Sequence, residues 1–566
     1  MMIGPGSSVR ARDTFEERRD LLVRRFDPAR LENDNYGDLA LTNLWRGVEL
    51  AASNRKLAEL TDWFGERNAA RRDPRGECDF AAMTLIRAWY LAGPQETLTT
   101  ETRVAVKSFF LRHNFESRYG SENHALLFRT SRYLAAQAWP AEVFQQFGDT
   151  GAGLREKDSE WLKAFLAHRG RYGWAEFSSA HYIFEQVRCL LALHDCAEDQ
   201  ALRTLASNLL NYTLLDLGLN SIEGMYGGAH GRIYDFQALD HSREASAAIG
   251  FLFLGTHALE RFAPGRPMAE AYMTSFRAAP LVATSAGRRV TPYEVRQRFH
   301  LHNTSDTLPQ RPASGSIRKY TYYHPRFILG AVQMQDPAPT DWPPYAYHQQ
   351  HHWDLTFAGD SRARLFTHHP GRAGKEHGEW TGDFGCGCGR FFQHKTAVIG
   401  RYEMPPDQPC QWIHAYVPRD AFDEVIERAG WIFVRKDAAF GALKMLGGNL
   451  VWHDSVTFAP RELVSRAAPN AFVCEAGSAE EFGSFKAFAE EILGNPIEWD
   501  PATGAVSYAS RRAGRLALAA DGVRSLDGIS ADLEYPLFCA PGVYGAWGVG
   551  QLEIQREGQI LRLKFP

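Results

Sequence analysis

Apolar positions recur at helical spacing through the first half of this chain and at strand spacing through much of the second. The stretches Thr14–Phe26, Leu39–Phe64, Phe80–Leu91 and Arg103–Phe115 each carry an apolar stripe that predicts an amphipathic helix. Ile183, Phe184, Val187, Leu190 and Leu191 continue the pattern, and further helices are expected over Gln200–Leu217 and His241–Phe262. Short polar turns such as Ala197-Glu198-Asp199 separate them, and no fixed-period repeat marks a solenoid. Successive amphipathic helices on short loops must bury their stripes against one another.

Beyond Ser285 the pattern changes. The stretch 286–316 is expected to act as a linker, with Thr304–Ser316 rich in Ser, Thr, Pro and Gly. Strand-type runs follow at Phe327–Gln333, Trp353–Phe357, Thr396–Tyr402, Trp431–Arg435 and Leu450–Phe458. At the C-terminus Leu552 and Ile554, then Leu561, Leu563 and Phe565, alternate with polar neighbours around a Glu557-Gly558 turn, which predicts a β-hairpin. One helix interrupts this half at Ala479–Leu493, with Gly494 as its C-cap. Helices first and strands later mean α+β in separate domains: residues 1–285 helical and 317–566 antiparallel β-sandwich.

Composition narrows the function classes. The 566 residues are 45% hydrophobic and 23% charged, an ordinary balance for a globular chain of more than one domain. The net charge of −4 with interspersed signs gives no basic stripe for nucleic acid. Eight scattered cysteines do not make a disulfide framework. No apolar run approaches the roughly 18 residues that span a bilayer. The first residues show no apolar leader, which leads us to expect a cytoplasmic protein, or a secreted or periplasmic one should a leader precede them. Aromatic residues reach 12%, enough both to fill cores and to offer rings to sugar faces.

Three segments of the helical half stand out for chemistry: Ser121-Glu122-Asn123-His124, Gly173-Trp174-Ala175-Glu176-Phe177-Ser178-Ser179-Ala180-His181-Tyr182, and Gly227-Gly228-Ala229-His230-Gly231-Arg232-Ile233-Tyr234-Asp235. The Asn-His pair, the Trp-x-Glu-x-x-Ser-x-x-Tyr run and the Gly- and Arg-containing segment, in this order, resemble the heparinase II/III-like and alginate-lyase-like polysaccharide lyases. The resemblance implies an N-terminal (α/α) toroid followed by an antiparallel β-sandwich, and β-elimination on a uronate-containing polysaccharide or oligosaccharide.

That reaction removes the C5 proton of a uronate and expels the oxygen at C4, so three tasks follow. The sugar carboxylate must be neutralised, a task that suits the Asn123 amide or a protonated histidine. A base must take the proton and an acid must protonate the leaving oxygen; His124 and Tyr182 share these duties, with the assignment open. Arg232 can lower the pKa of a tyrosine or clamp a carboxylate. The resemblance also places Trp174, Glu176, His230 and Tyr234 at the substrate, with Glu176 better suited to bracing its own loop and Arg232 and Tyr234 equally suited to bracing or binding.

The β half holds His348, His351, His352, His368, His369, His377 and His394. In the resembling lyases the sandwich lends a histidine to the cleft, here His351 or His352; the expectation is His352 in catalysis and His351 at the substrate. Strand geometry sends the two to opposite faces, so only one of them lines the cleft. No cofactor is required for the chemistry, and a structural divalent metal in the β domain has no ligand set that these residues identify. Cys386-Gly387-Cys388-Gly389 lacks the second pair of a zinc site and reads as a tight turn or redox pair. Two other functions remain open. A glycoside hydrolase on the same scaffold would use two carboxylates among Glu122, Glu176, Asp235 and Asp240 and would tolerate Tyr182→Phe. A glycan-binding protein would keep the fold without the chemistry.

Overall fold

A computed structural model describes residues 14–69, 78–91, 97–114, 121–255, 261–287, 289–300, 316–333, 350–370, 380, 388–406, 410–448, 450–453 and 462–566. Among them, helices fill the first half and antiparallel strands the second. Four helices line the inside of a ring: Asp38–Arg46, Cys78–Leu91, Glu122–Ala138 and Ile183–Cys196, each packed on the next. The short helix Ala269–Met273 touches both the last and the first of them, which closes the ring. Leu50–Ala69, Thr100–Arg112, Gly151–Tyr172 and Gln200–Leu219 alternate with these in sequence and lie outside. The inner helices are buried on nearly every face, as a helix enclosed by others must be.

The predicted helix Leu39–Phe64 is two helices, because Gly47 adopts the left-handed conformation (φ 71°) that caps the first one. Gly151–Tyr172, absent from the sequence reading, is a full helix capped by the Thr150 side chain. The expected His241–Phe262 helix shortens to Ala245–Leu254 behind a 3₁₀ turn.

The sequence stretch expected as a linker contains the strand Tyr293–His300, paired along its whole length with Ser316–His324. Residues 301–315, most of the Pro- and Ser-rich segment, lie outside the described residues. A twelve-stranded sheet packs one face against the ring, where Phe538, Leu552, Ile554, Leu563 and Phe565 join the helical core. Part of its other face packs on a six-stranded sheet through Trp353, Leu355, Phe391 and Phe472. A smaller five-stranded sheet and the helix Phe485–Leu493 cover the far side of that second sheet. The predicted hairpin forms as expected: Leu552 faces Leu563, Ile554 faces Leu561, and Glu557 and Gly558 turn with φ 51° and 78°. The predicted helix Ala479–Leu493 breaks at Gly483, and Ser484 caps its second part. No helix among the described residues is long and apolar enough to cross a membrane.

Ring and sandwich also meet by backbone pairing. His230–Gly231, on a loop of the ring, pairs with Gln350–His351 of the sandwich. Next to it, an added Cβ on Gly330 would stand 2.8 Å from the Cα of Gly228, so glycine at both positions lets loop and strand touch.

Candidate functional site

The three sequence segments converge at the N-terminal ends of two inner helices, around Glu176. Glu122 and Asn123 begin an inner helix; Glu176 to Tyr182 form the loop leading into the next; His230 to Tyr234 return from the sandwich contact. Ser179 ties two of the segments together, since its hydroxyl donates to the Arg232 carbonyl (2.7 Å) and accepts from the Tyr182 N–H (3.0 Å). Two non-glycine residues here are left-handed, Ser178 at φ 44° and Arg232 at φ 83°. Such backbone persists only where surrounding contacts over-determine it, and it is concentrated at functional sites.

Glu176 is the hub. Both of its oxygens accept from the Asn123 amide nitrogen, at 2.7 and 2.9 Å, and Arg232 pairs with it at 3.2 Å. Its backbone N–H donates to Glu122 (2.6 Å), whose other oxygen pairs with Arg169 at 2.8 Å. Burial pushes the Glu122 carboxyl up to about 7, against the pull of Arg169 and with a further push from Glu176. Asn123 and Glu176 are both 1% exposed. The Asn123 donor expected to meet a substrate carboxylate is thus spent inside the protein, where it orients Glu176.

Arg232 extends from this hub into the cleft. Its guanidinium donates to the Tyr182 hydroxyl (3.1 Å) and lies 4.7 Å from the centre of that ring. The Tyr182 hydroxyl also shares a hydrogen bond with Tyr234 (2.7 Å). Burial raises the Tyr182 phenol well above its ordinary value despite the opposing Arg232 charge, so it holds its proton at neutral pH. His181 stands edge-on to Tyr182 and Tyr234, at 4.8 and 4.7 Å between ring centres. Burial, then Arg266 and Arg232, push its pKa down to about 3, so it is a neutral imidazole.

His124 faces the same space, 17% exposed, with Nδ1 2.6 Å from Asp79, which is fully buried. Burial pulls the imidazole pKa down, but Asp79 outweighs it by charge and hydrogen bond, with Glu176 adding and Arg232 opposing, and the net shift is upward. Phe80 packs on His124 (5.5 Å) and Tyr36 on Phe80 (5.1 Å). Tyr36 and Arg266 in turn border a cavity of about 350 Å³. Asp79, His181 and Arg266 escaped the sequence reading because they sit outside the motif positions; nothing local distinguishes Asp79 from any carboxylate near a helix start.

The remaining expected residues lie deeper. Trp174 is a core residue whose indole donates to Thr213 (3.0 Å), because its position falls on the inward side of its loop. His230 and His351 are fully buried where ring meets sandwich: His230 bonds the Ser178 carbonyl (2.6 Å), and His351 bonds His368 and Asp354, both at 2.8 Å. His352 points the other way, into the sandwich against Phe391, and burial pushes it down to about 3. Strand alternation turns His351 and His352 to opposite faces: the His351 ring lies 5.8 Å from that of His230 on the ring loop, and His352 lies against Phe391 within the sandwich. The sandwich histidines His351, His352 and His368 are all shifted down by desolvation, and among the described residues no group of three His, Cys, Asp or Glu side chains is arranged to hold a metal. His348, His377, Cys386 and Gly387 lie outside the described residues.

Of the carboxylates a hydrolase would need, Glu122 and Glu176 are buried and committed to internal partners, Asp235 binds the Phe236 N–H, and Asp240 caps the Ser242 N–H.

No family model matches this chain, and no curated protein matches its sequence. Among solved structures it is similar to chondroitin AC lyase of Streptomyces coelicolor A3 in complex with chondroitin sulphate, at 12% identity and a TM-score of 0.45, covering 98% of this chain and 89% of that one. It is also similar to heparinase III, at 7% identity and a TM-score of 0.35, covering 86% of this chain and 74% of that one.

Proposed function

We propose that this protein is a polysaccharide lyase that cleaves a uronate-containing glycan by β-elimination, with His124 as base, Tyr182 as acid and Arg232 on the sugar carboxylate. The observation that carries the reading is an imidazole backed by a carboxylate, a protonated phenol and a guanidinium brought together about Glu176. His124 takes the C5 proton on Nε2. The C4–O bond breaks as the C4–C5 double bond forms, and the Tyr182 proton goes to the departing oxygen. A raised histidine pKa makes a stronger base, and a phenol that keeps its proton makes an acid. Arg232, 16% exposed and fixed by Glu176, sets its positive charge beside the carboxylate on which enolate charge develops. Asn123 supports that arrangement through Glu176, while His230 and His351 brace the loop from beneath.

The test is ultraviolet absorbance during incubation with alginates, glycosaminoglycans, glucuronans and bacterial exopolysaccharides. Elimination creates a double bond conjugated with the carboxylate, and hydrolysis creates none. We expect rising absorbance with at least one glycan, lost in Tyr182→Phe and His124→Ala by about 10²-fold or more, the scale of removing a general acid or base. New reducing ends without absorbance would replace the reading by a hydrolase, and binding without products by a glycan-binding role.

A further inference from the structure

We propose that Asp79 is a positioning residue that acts through His124: its carboxylate fixes the imidazole as the Nδ1–H tautomer and so makes Nε2 the proton-accepting atom. The inference deepens the lyase reading and rests on it for the role of Nε2, though the tautomer stands on geometry alone. The Asp79 side chain is fully buried in the first turn of the helix Cys78–Leu91, and Oδ1 accepts the Phe80 N–H of its own helix at 3.0 Å. That contact pins the carboxylate and leaves Oδ2 facing His124 Nδ1 at 2.6 Å.

A carboxylate only accepts, so the hydrogen of a neutral His124 sits on Nδ1 and the ring lone pair on Nε2. The Phe80 ring against the imidazole opposes the ring flip that would put Cδ2 in place of Nδ1 opposite Asp79. When Nε2 takes a proton, the Nδ1–H···carboxylate bond becomes charge-assisted, so the carboxylate stabilises the imidazolium that the reaction forms.

The other charges facing His124 are Glu176, from the loop before the next inner helix, and Arg232, from the loop that contacts the sandwich. They act with opposite sign, and Asp79 is the only one of the three in hydrogen-bond contact with the ring among the contacts described.

The experiment compares wild type, Asp79→Asn, His124→Ala and the double variant. Two quantities are read: the pH dependence of kcat/KM, and the tautomer and titration midpoint of His124 by ¹⁵N NMR of histidine-labelled protein. In the wild type we expect Nδ1–H and a midpoint above the ordinary 6.5. Asp79→Asn should move that midpoint and the acidic limb of kcat/KM to lower pH together, by about one unit, a tenfold change in proton affinity. In the His124→Ala background the same substitution should change residual activity less than twofold, because its effect passes through the imidazole.

A wild-type His124 found as the Nε2–H tautomer overturns the proposal even if Asp79→Asn fails to fold. A folded Asp79→Asn protein with midpoint and limb unmoved overturns it as well. Absence of turnover on every uronate glycan would remove the lyase reading, while the NMR measurement would still decide the tautomer.

Discussion

Glu176→Gln tests whether the hub beneath the cleft holds the chemistry in place. The wild-type carboxylate receives two N–H bonds from Asn123 and one from Arg232, and it is 1% exposed. Glutamine keeps the volume but turns one oxygen into an NH2 donor. If the new oxygen takes the Oε1 position, it keeps Arg232 and one Asn123 contact, and the new NH2 then faces the Asn123 NH2 where 2.9 Å once separated donor from acceptor. The opposite placement turns the NH2 toward both Arg232 and Asn123. Either way at least one charge-assisted bond is lost and the Arg232 cation loses its counter-ion.

A hydrogen bond to a charged group is worth about 1.5–3 kcal/mol, and breaking a buried ion pair costs about 3–5 kcal/mol. Arg232 retains some solvent contact and the Tyr182 hydroxyl, so about 2–4 kcal/mol is expected here. Calorimetry should show the ring's unfolding transition about 5–10 °C lower, and ultraviolet turnover should show kcat/KM reduced about 10- to 100-fold with the unsaturated product still formed. Substitution of Glu176 thus impairs a lyase too, and only the nature of the product separates it from a hydrolase. Wild-type stability together with activity within twofold would refute the hub argument.

Two further predictions concern the fold. Gly170→Ala puts a Cβ 2.0 Å from Cγ of the fully buried Phe565 ring, so this contact of ring helix and C-terminal strand should lose about 1–3 kcal/mol of stability. In a Phe565→Ala background, which lacks those ring atoms, Gly170→Ala should cost markedly less in thermal melts, and an equal cost in both backgrounds would refute the packing argument. Glu475 is buried beneath the Tyr508 and Ser510 hydroxyls, and burial pushes it up to about 7 from 4.5 despite those bonds. A carboxyl whose pKa is raised on folding stabilises most below its unfolded value. Sandwich stability should therefore fall by about 3 kcal/mol as pH rises from about 4.5 to about 7. Glu475→Gln should flatten that slope in denaturant titrations run across the range, and an identical slope in both proteins would refute the assignment.

The order of helices and strands was legible because each element carries its own periodicity: one-sided burial imposes a period of 3.6 on a helix and 2 on a strand, whatever the neighbours. The C-terminal hairpin could be read to the residue, since Glu557-Gly558 supplies the two left-handed positions that its turn requires. The motifs that build the cleft were legible as well, and Asn123, His124, Glu176, Tyr182, Arg232 and Tyr234 do gather there. What those side chains do was not. Asn123 and Asp79 exchange prominence once partners far away in the chain are known, because a hydrogen-bond donor is free or spent according to what folding brings beside it. Which of His351 and His352 lies against His230 of the ring loop likewise depends on the strand register, and adjacent strand residues with identical side chains carry no sign of that. Local periodicity is written in consecutive residues; burial, tautomer and charge pairing belong to contacts across the ring and the sandwich, and only the assembled structure decides them.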